Sequence, residues 1–251
     1  SLIYQKSKVL YGIFESKQSI VKEDNCYLVE GYTDVIKMHQ CGITNVVASS
    51  GTALTESQIR LINRLTKNIT VVFDGDEAGS RATLRGIDLI LEQGMNVKIC
   101  NLPNNEDPDS FVSEKSLDQA KLYFDENSKD FIVYKASLLL NESNNDPVKK
   151  AGVIRDMVES IAKISDQIKR EIYVKECSSI MDISEQVLYS TLAQIRKQDF
   201  NAQKKKPKKI FEPISLVKGD KNKGDVNALY ELEKKIIEIL LLYGNELIDF
   251  E

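Results

Sequence analysis

Only one histidine, His39, occurs in the 251 residues, so a histidine-based catalytic triad or a histidine-rich zinc site has nothing to build on. Its place on a helical stretch reads as structural or solvent-facing. The four cysteines, Cys26, Cys41, Cys100 and Cys177, form no Cys-x-x-Cys pair and sit in apolar stretches, the usual setting of a thiol that serves as a small hydrophobe. Buried, reduced cysteines are expected, not zinc ligands or disulfides. No uncharged apolar run reaches the ~18 residues of a membrane span. The start, Ser1-Leu-Ile-Tyr-Gln-Lys6, lacks the charged, apolar and small-residue sectors of a signal peptide. No membrane partner and a cytoplasmic location are therefore expected. Neither a Gly-x-x-x-x-Gly-Lys-[Ser/Thr] phosphate loop nor a Gly-x-Gly-x-x-Gly fingerprint is present, so neither a P-loop ATPase nor a dinucleotide enzyme is supported.

What is present is ordinary globular composition, 42% hydrophobic and 29% charged, enough for one sizeable core with a smaller appendage. The net charge of −4 is unevenly spread. Segment 201–223 holds eight lysines against Glu212 and Asp220, which leaves the remainder acidic. An acidic body binds nucleic acid poorly as a whole, so any such reading rests on a local site.

Residues 26–112 alternate short apolar runs with amphipathic ones: 26–29, 33–40, 45–49, 56–67, 69–73, 78–93 and 97–102. This repetition predicts βαβ units and a parallel sheet covered by helices. Thr55-Glu-Ser-Gln58 is a capping-box pattern that marks a helix start. Beyond Asp109 the pattern is helical only. Asp146 and Pro147 suit an N-cap and first turn, and Ile154, Met157, Val158, Ile161, Ile164, Ile168 and Ile172 follow at helical spacing, before a shorter helix from Ser184 through Ile195. The run 201–224, rich in lysine with Pro207, Pro213, Gly219 and Gly224, reads as a flexible linker. A last apolar helix carries Leu229, Leu232, Ile236, Ile237, Leu240 and Leu241. It cannot bury its own face and needs a partner surface.

Carboxylates crowd the ends of three of the strand-like runs: Glu30 after Cys26–Val29, Asp74 and Asp76 after Ile69–Phe73, Asp107 and Asp109 after Val97–Leu102. Ligands of open parallel sheets bind at the carboxyl ends of strands, so these acids can converge despite their separation in sequence. In Asp74-Gly-Asp-Glu-Ala-Gly79, aspartates two apart with glycines for a tight turn offer hard oxygen ligands to a magnesium ion that takes phosphate oxygens as its others. A calcium EF-hand fails here, because Ala78 and Arg85 occupy positions where acids belong. Glu30-Gly-Tyr-Thr-Asp34 adds a glutamate able to ligate metal or accept a proton, with Asp34 one helical turn later. For each acid there is a competing structural use, as charge in a first helical turn or as a turn residue.

Taken in order and spacing, Glu30-Gly-Tyr-Thr-Asp34, Ala48-Ser-Ser-Gly-Thr-Ala-Leu-Thr55, Asp74-Gly-Asp-Glu-Ala-Gly79 and Glu106-Asp-Pro-Asp109 resemble the Toprim core of topoisomerases and primases, most closely that of the bacterial replicative primases of the DnaG type. The likeness extends to Tyr4–Gly12, to the helices of 130–197 and to 226–251. It implies an α/β fold, a Toprim-type parallel-rich sheet flanked by helices, then a small helical subdomain and a linker. The expected divisions are 1–25, the end of an N-terminal subdomain; 26–125, the catalytic core; 126–200, helical; 201–225, linker; and 226–251, the start of a helicase-interacting domain.

The resemblance further implies Glu30, Asp74 and Asp76 as catalytic acids, and Glu30, Asp34, Asp74, Asp76, Asp107 and Asp109 as ligands of Mg2+ or Mn2+. It places Lys6, Gly51 and Thr52 near nucleotide or template. Zinc is expected only in an N-terminal module absent from this chain. The implied activity is synthesis of short RNA primers from ribonucleoside triphosphates on a single-stranded DNA template, with the replicative helicase as partner. The competing readings are another Toprim enzyme, a topoisomerase or nuclease, and a non-catalytic recruiting module.

Overall fold

Cys26–Val29 (β1), Val46–Ala48 (β2), Asn68–Phe73 (β3) and Asn96–Asn101 (β4) pair in parallel, and Lys129–Asp130 (β5) runs antiparallel to β4, giving the order β2-β1-β3-β4-β5. This computed structural model describes residues 5–49, 51, 53–74, 81–103, 106–143, 146–205 and 234–237. All four residues of β1 are buried because both faces of the sheet are covered, which is why the strands read as near-continuous apolar runs. Cys26 and Leu28 face one core layer with Val71 and Ile99, while Tyr27 and Val29 face the other with Val72 and Cys100.

The smaller layer lies under Tyr32–Cys41 (α2), Pro108–Ser113 (α5) and Leu117–Asn127 (α6), with Met38, Phe111 and Phe124 fully buried. Phe124 stacks obliquely 5.1 Å from Tyr27 and 5.8 Å from Phe111, contacts worth about 0.5–1.5 kcal/mol each beyond the area buried. The larger layer is built by Glu56–Asn63 (α3), Arg81–Glu92 (α4), Phe131–Ser143 (α7), Pro147–Lys163 (α8), Gln167–Met181 (α9) and Glu185–Lys205 (α10). Ile13–Glu23 (α1), which the sequence reading did not pick out, packs on β2 and sends Ile20 into the larger layer. Gly12 precedes it at φ +80°, where a Cβ would lie 2.9 Å from Val35 Cγ1, so glycine is required both by conformation and by space.

The predicted helix starts are borne out. Thr55 Oγ1 accepts the Gln58 N–H and Gln58 Oε1 accepts the Thr55 N–H at 3.0 Å, closing the capping box of α3. Asp146 caps α8, with its Oδ1 accepting the Val148 N–H at 2.9 Å.

Several expectations need correction. The helical spacing through Ile172 is interrupted, since α8 stops at Lys163 and Asp166 caps a new helix. The buried Arg170 guanidinium donates to the carbonyls of Ile164 and Ser165 at 2.6 and 2.7 Å, satisfying the end of α8 and fixing the turn. Ile168 and Ile172 then face outward, 72% and 60% exposed. Helix α10 continues to Lys205, past the residue 201 at which a linker was expected, because no glycine or proline intervenes before Pro207. Cys41 is half-buried, while Cys26, Cys100 and Cys177 are buried and all four are free.

The chain divides into one compact unit, Ser1–Gln203, and a second, Lys204–Glu251. The division expected at 125/126 falls inside α6, and one core layer runs from Ile20 and Leu28 through Met157 to Leu188, so the helical region shares the sheet's core. A part-buried polar chain joins them too. Lys135 Nζ donates to Ser160 Oγ, whose hydroxyl donates to Asp88 Oδ1, both at 2.5 Å, linking α7, α8 and α4. Among the described residues no helix is long and apolar enough to cross a membrane. The predicted segment 226–251 lies outside the described residues except for the helical 234–237.

Candidate metal and phosphate site

Register decides where the acids sit. Leu28 pairs with Val71, Val71 with Ile99 and Phe73 with Asn101, so the carboxyl ends of β1, β3 and β4 lie side by side. The chain leaves β1 outward to β2 and then returns to the other side of β1 for β3, which makes the β1/β3 boundary the switch point of the sheet. Glu30 follows β1 and Asp74 follows β3, one on each side of that boundary. Glu30 is exposed and Asp74 half-buried.

Asp34 is held in the first turn of α2, only 7% exposed, with Oδ2 accepting the Gly31 N–H at 2.9 Å. Burial pushes its carboxyl above the ordinary range; the Gly31 hydrogen bond opposes the rise, and the charges of Asp107 and Asp109 add to it. The Asp109 backbone N–H also bonds Asp34. The packing of α2 against α5 thus brings Asp34 to Asp107 and Asp109, which are far from it in sequence.

Asp107 and Asp109 also serve the local structure. Asp107 is the N-cap of α5, its Oδ1 accepting the Ser110 N–H at 2.8 Å and hydroxyl at 2.6 Å, which together hold its carboxyl below the usual range. Asp109 occupies the first turn, where a carboxylate favours the helix dipole, and its carbonyl accepts the Ser113 hydroxyl at 2.7 Å.

Asp76 and Thr52 lie outside the described residues. Among the described residues, no three histidine, cysteine, aspartate or glutamate side chains form a group that could hold a metal ion. The donors gathered at this edge are nevertheless all hard carboxylate oxygens, which suit magnesium or manganese, ions that need only one or two carboxylates beside water and phosphate. Burial pushes the Cys100 thiol up to about 11 and raises that of Cys26 further, away from the thiolate form that ligates metal.

Gly51 is exposed at φ +69° with nothing within 4 Å of a Cβ there, so glycine is called for by backbone conformation alone. Exposed Lys6, in a short 3₁₀ turn, lines a cavity of about 700 Å³ with Tyr11, Phe14, His39 and Ser49. His39 Nε2 lies 3.1 Å from Ser16 Oγ, a structural use as expected. One polar residue at this edge escaped the sequence reading. Asn101 closes β4, and its only signal in the sequence is a carboxamide ending an apolar strand.

The fold and its acidic switch point define a Toprim-like domain: residues 27–112 match the Toprim-like family, and residues 137–186 match the DnaB-helicase binding domain of primase. A DNA primase of Clostridium acetobutylicum is 37% identical over 205 residues, 80% of this chain and 34% of that protein. A crystal structure of a DNA primase domain from Pseudomonas aeruginosa is 30% identical with a TM-score of 0.67, covering 76% of this chain and 61% of that one. A DnaG primase catalytic domain solved bound to single-stranded DNA is 26% identical with a TM-score of 0.64, covering 71% and 59%. The chain belongs with the bacterial primases of the DnaG type, and it spans about a third of the length of the curated relatives it matches. The helicase-binding match covers the end of α7 through α9 and the start of α10, not the segment 226–251 at which the helicase-interacting domain was expected.

Proposed function

We propose that this chain is the catalytic core of a DNA primase, joining ribonucleoside triphosphates into short RNA primers on single-stranded DNA. The observation that carries the reading is the placement of Glu30 and Asp74 on either side of the β1/β3 switch point, with Asp34 brought to Asp107 and Asp109 by the packing of α2 on α5. Glu30, Asp74, Asp76, Asp107 and Asp109, with Asp34 beside them, would hold Mg2+ or Mn2+, which when bound neutralises triphosphate charge and aligns the α-phosphorus. Glu30, exposed at its strand end, accepts the proton of the attacking hydroxyl. Lys6 reaches phosphate or template, and Gly51 and Thr52 flank the nucleotide. The helices α8 and α9 engage the replicative helicase, in line with the match to a helicase-binding primase domain.

The test is primer synthesis by a longer form of the protein with ribonucleotides and with deoxyribonucleotides on single-stranded DNA. Metal-dependent synthesis that prefers ribonucleotides is expected. Strand cleavage without synthesis would point to the topoisomerase or nuclease chemistry of the Toprim fold, and binding without either would point to a recruiting module.

A further inference from the structure

Exposed aromatic rings collect at one end of the sheet. Tyr11 is 42% exposed, Phe14 72% and Tyr32 58%, and the rings of Tyr11 and Tyr32 lie 6.0 Å apart at a tilt of 60°. Single exposed apolar side chains are ordinary, whereas several grouped on one surface mark a place where something binds. The backbone fixes where this group stands. Tyr11 exchanges both backbone hydrogen bonds with Ala48, the last residue of β2, at 3.0 and 3.1 Å, which sets it at the carboxyl end of that strand. Tyr32 opens α2 two residues after Glu30, at the carboxyl end of β1. The pair therefore bridges the ends of two neighbouring strands, beside the exposed acid.

Positive charge accompanies the rings. Residues 5–17 carry Lys6, Lys8 and Lys17 against the single acid Glu15, in a chain whose net charge is −4. All three lysines are exposed. The turn Lys6–Lys8 is pinned to the start of α3, with Thr55 Oγ1 donating to the Ser7 carbonyl at 2.6 Å and Gln58 Nε2 to the Lys6 carbonyl at 3.1 Å. Lys6 lines the cavity with Tyr11 and Phe14, and Lys17 Nζ sits 4.5 Å from the centre of the Phe14 ring. An apolar protein surface would account for the rings but not for the cations set among them. A single nucleic-acid strand accounts for both, because it offers phosphates to cations and flat unpaired bases to aromatic faces. We propose that Tyr11 and Tyr32, with Lys6 and Lys8, form a stacking subsite for unpaired bases of a single DNA strand, with Tyr32 holding the base nearest Glu30. The inference rests on the polymerisation reading of the preceding section and deepens it by naming side chains that hold the template.

The test is binding of fluorescein-labelled oligo-dT to the 251-residue chain, followed by anisotropy, against an abasic strand of the same length that has the phosphates without the bases. The parent should bind oligo-dT more tightly than the abasic strand. Tyr11→Leu and Tyr32→Leu should each weaken oligo-dT binding at least about fivefold, the low end for one stacked base, and leave abasic binding unchanged. Tyr11→Phe and Tyr32→Phe keep the ring and should stay within about twofold of the parent. Lys6→Gln should weaken binding of both strands alike, as loss of a phosphate contact does. Should Tyr11→Leu not fold, Tyr32→Leu, at an exposed helix start, decides alone. A parent that binds both strands equally or neither, or leucine variants with parental affinity for oligo-dT, overturns the proposal. So does a longer form of the protein in which Tyr32→Leu lowers the unfolding midpoint without weakening oligo-dT binding, since the patch is then covered by protein. If the longer form makes no primers while the chain still prefers oligo-dT through these rings, the catalytic reading fails and the stacking subsite stands.

Discussion

Asp34 Oδ2 accepts the Gly31 backbone N–H at 2.9 Å while burial holds the Asp34 carboxyl above its ordinary range. A carboxyl raised in the folded state binds its proton more tightly there than in the unfolded chain. Its contribution to stability is full below the unfolded value, about 3.9, and is lost as pH rises through the folded one. Relative to Asp34→Asn, the parent should therefore lose stability as pH rises from the unfolded value through the raised folded one in urea denaturation. Added Mg2+ should shrink that loss, since a cation favours the ionised form. A difference between the two proteins that does not change with pH would contradict the burial assignment.

Glu30 is exposed, so Glu30→Gln should change stability by no more than about 0.5 kcal/mol. Primer synthesis by a longer form carrying the substitution should fall about 100-fold or more, the scale of a lost general base. Near-parental synthesis would remove Glu30 from the chemistry.

Asp107 has two separable duties, capping α5 and serving the proposed metal site. Asp107→Ala should cost about 1 kcal/mol of stability through the lost cap, whereas Asp107→Asn retains an oxygen for the Ser110 N–H and should cost less. Because the Asp107 carboxyl is lowered, its stabilising contribution is present above the unfolded value and is lost as pH falls through the folded one. If Asp107→Asn leaves Mn2+ affinity untouched, Asp107 is a cap alone.

Ser160 relays between Lys135 and Asp88 in the shared core. Ser160→Ala strands the buried Lys135 ammonium short of one partner and should destabilise by about 1–3 kcal/mol in denaturant titration. An unchanged midpoint would mean that the Asp156 carbonyl, 3.0 Å from Lys135 Nζ, satisfies the ammonium by itself.

The compact unit ends at Gln203. A chain truncated after that residue should keep the unfolding midpoint of the parent and its Mn2+ affinity. Loss of either would show that residues beyond 203 belong to the core.

Local chemistry and periodicity are readable along the chain, and here they marked β1, β3 and β4 as doubly buried strands. They also placed acids just past the strand ends and located the helix starts at Thr55 and Asp146. Such features depend on a residue and its near neighbours, so they survive the loss of three-dimensional context. The order β2-β1-β3-β4-β5, the two-residue antiparallel β5 and the meeting of Asp34 with Asp109 do not. They are pairings between distant segments that leave no local trace. The break between α8 and α9 was invisible for a related reason: Ile164, Ile168 and Ile172 keep helical spacing, while the Arg170 guanidinium that stops α8 acts through carbonyls, which have no letter in the sequence. Asn101 shows the limit most clearly. As a letter it is one polar residue at the end of a strand, and only the register of β3 and β4 with the packing of Tyr123 and Tyr134 turns it into a buried acceptor.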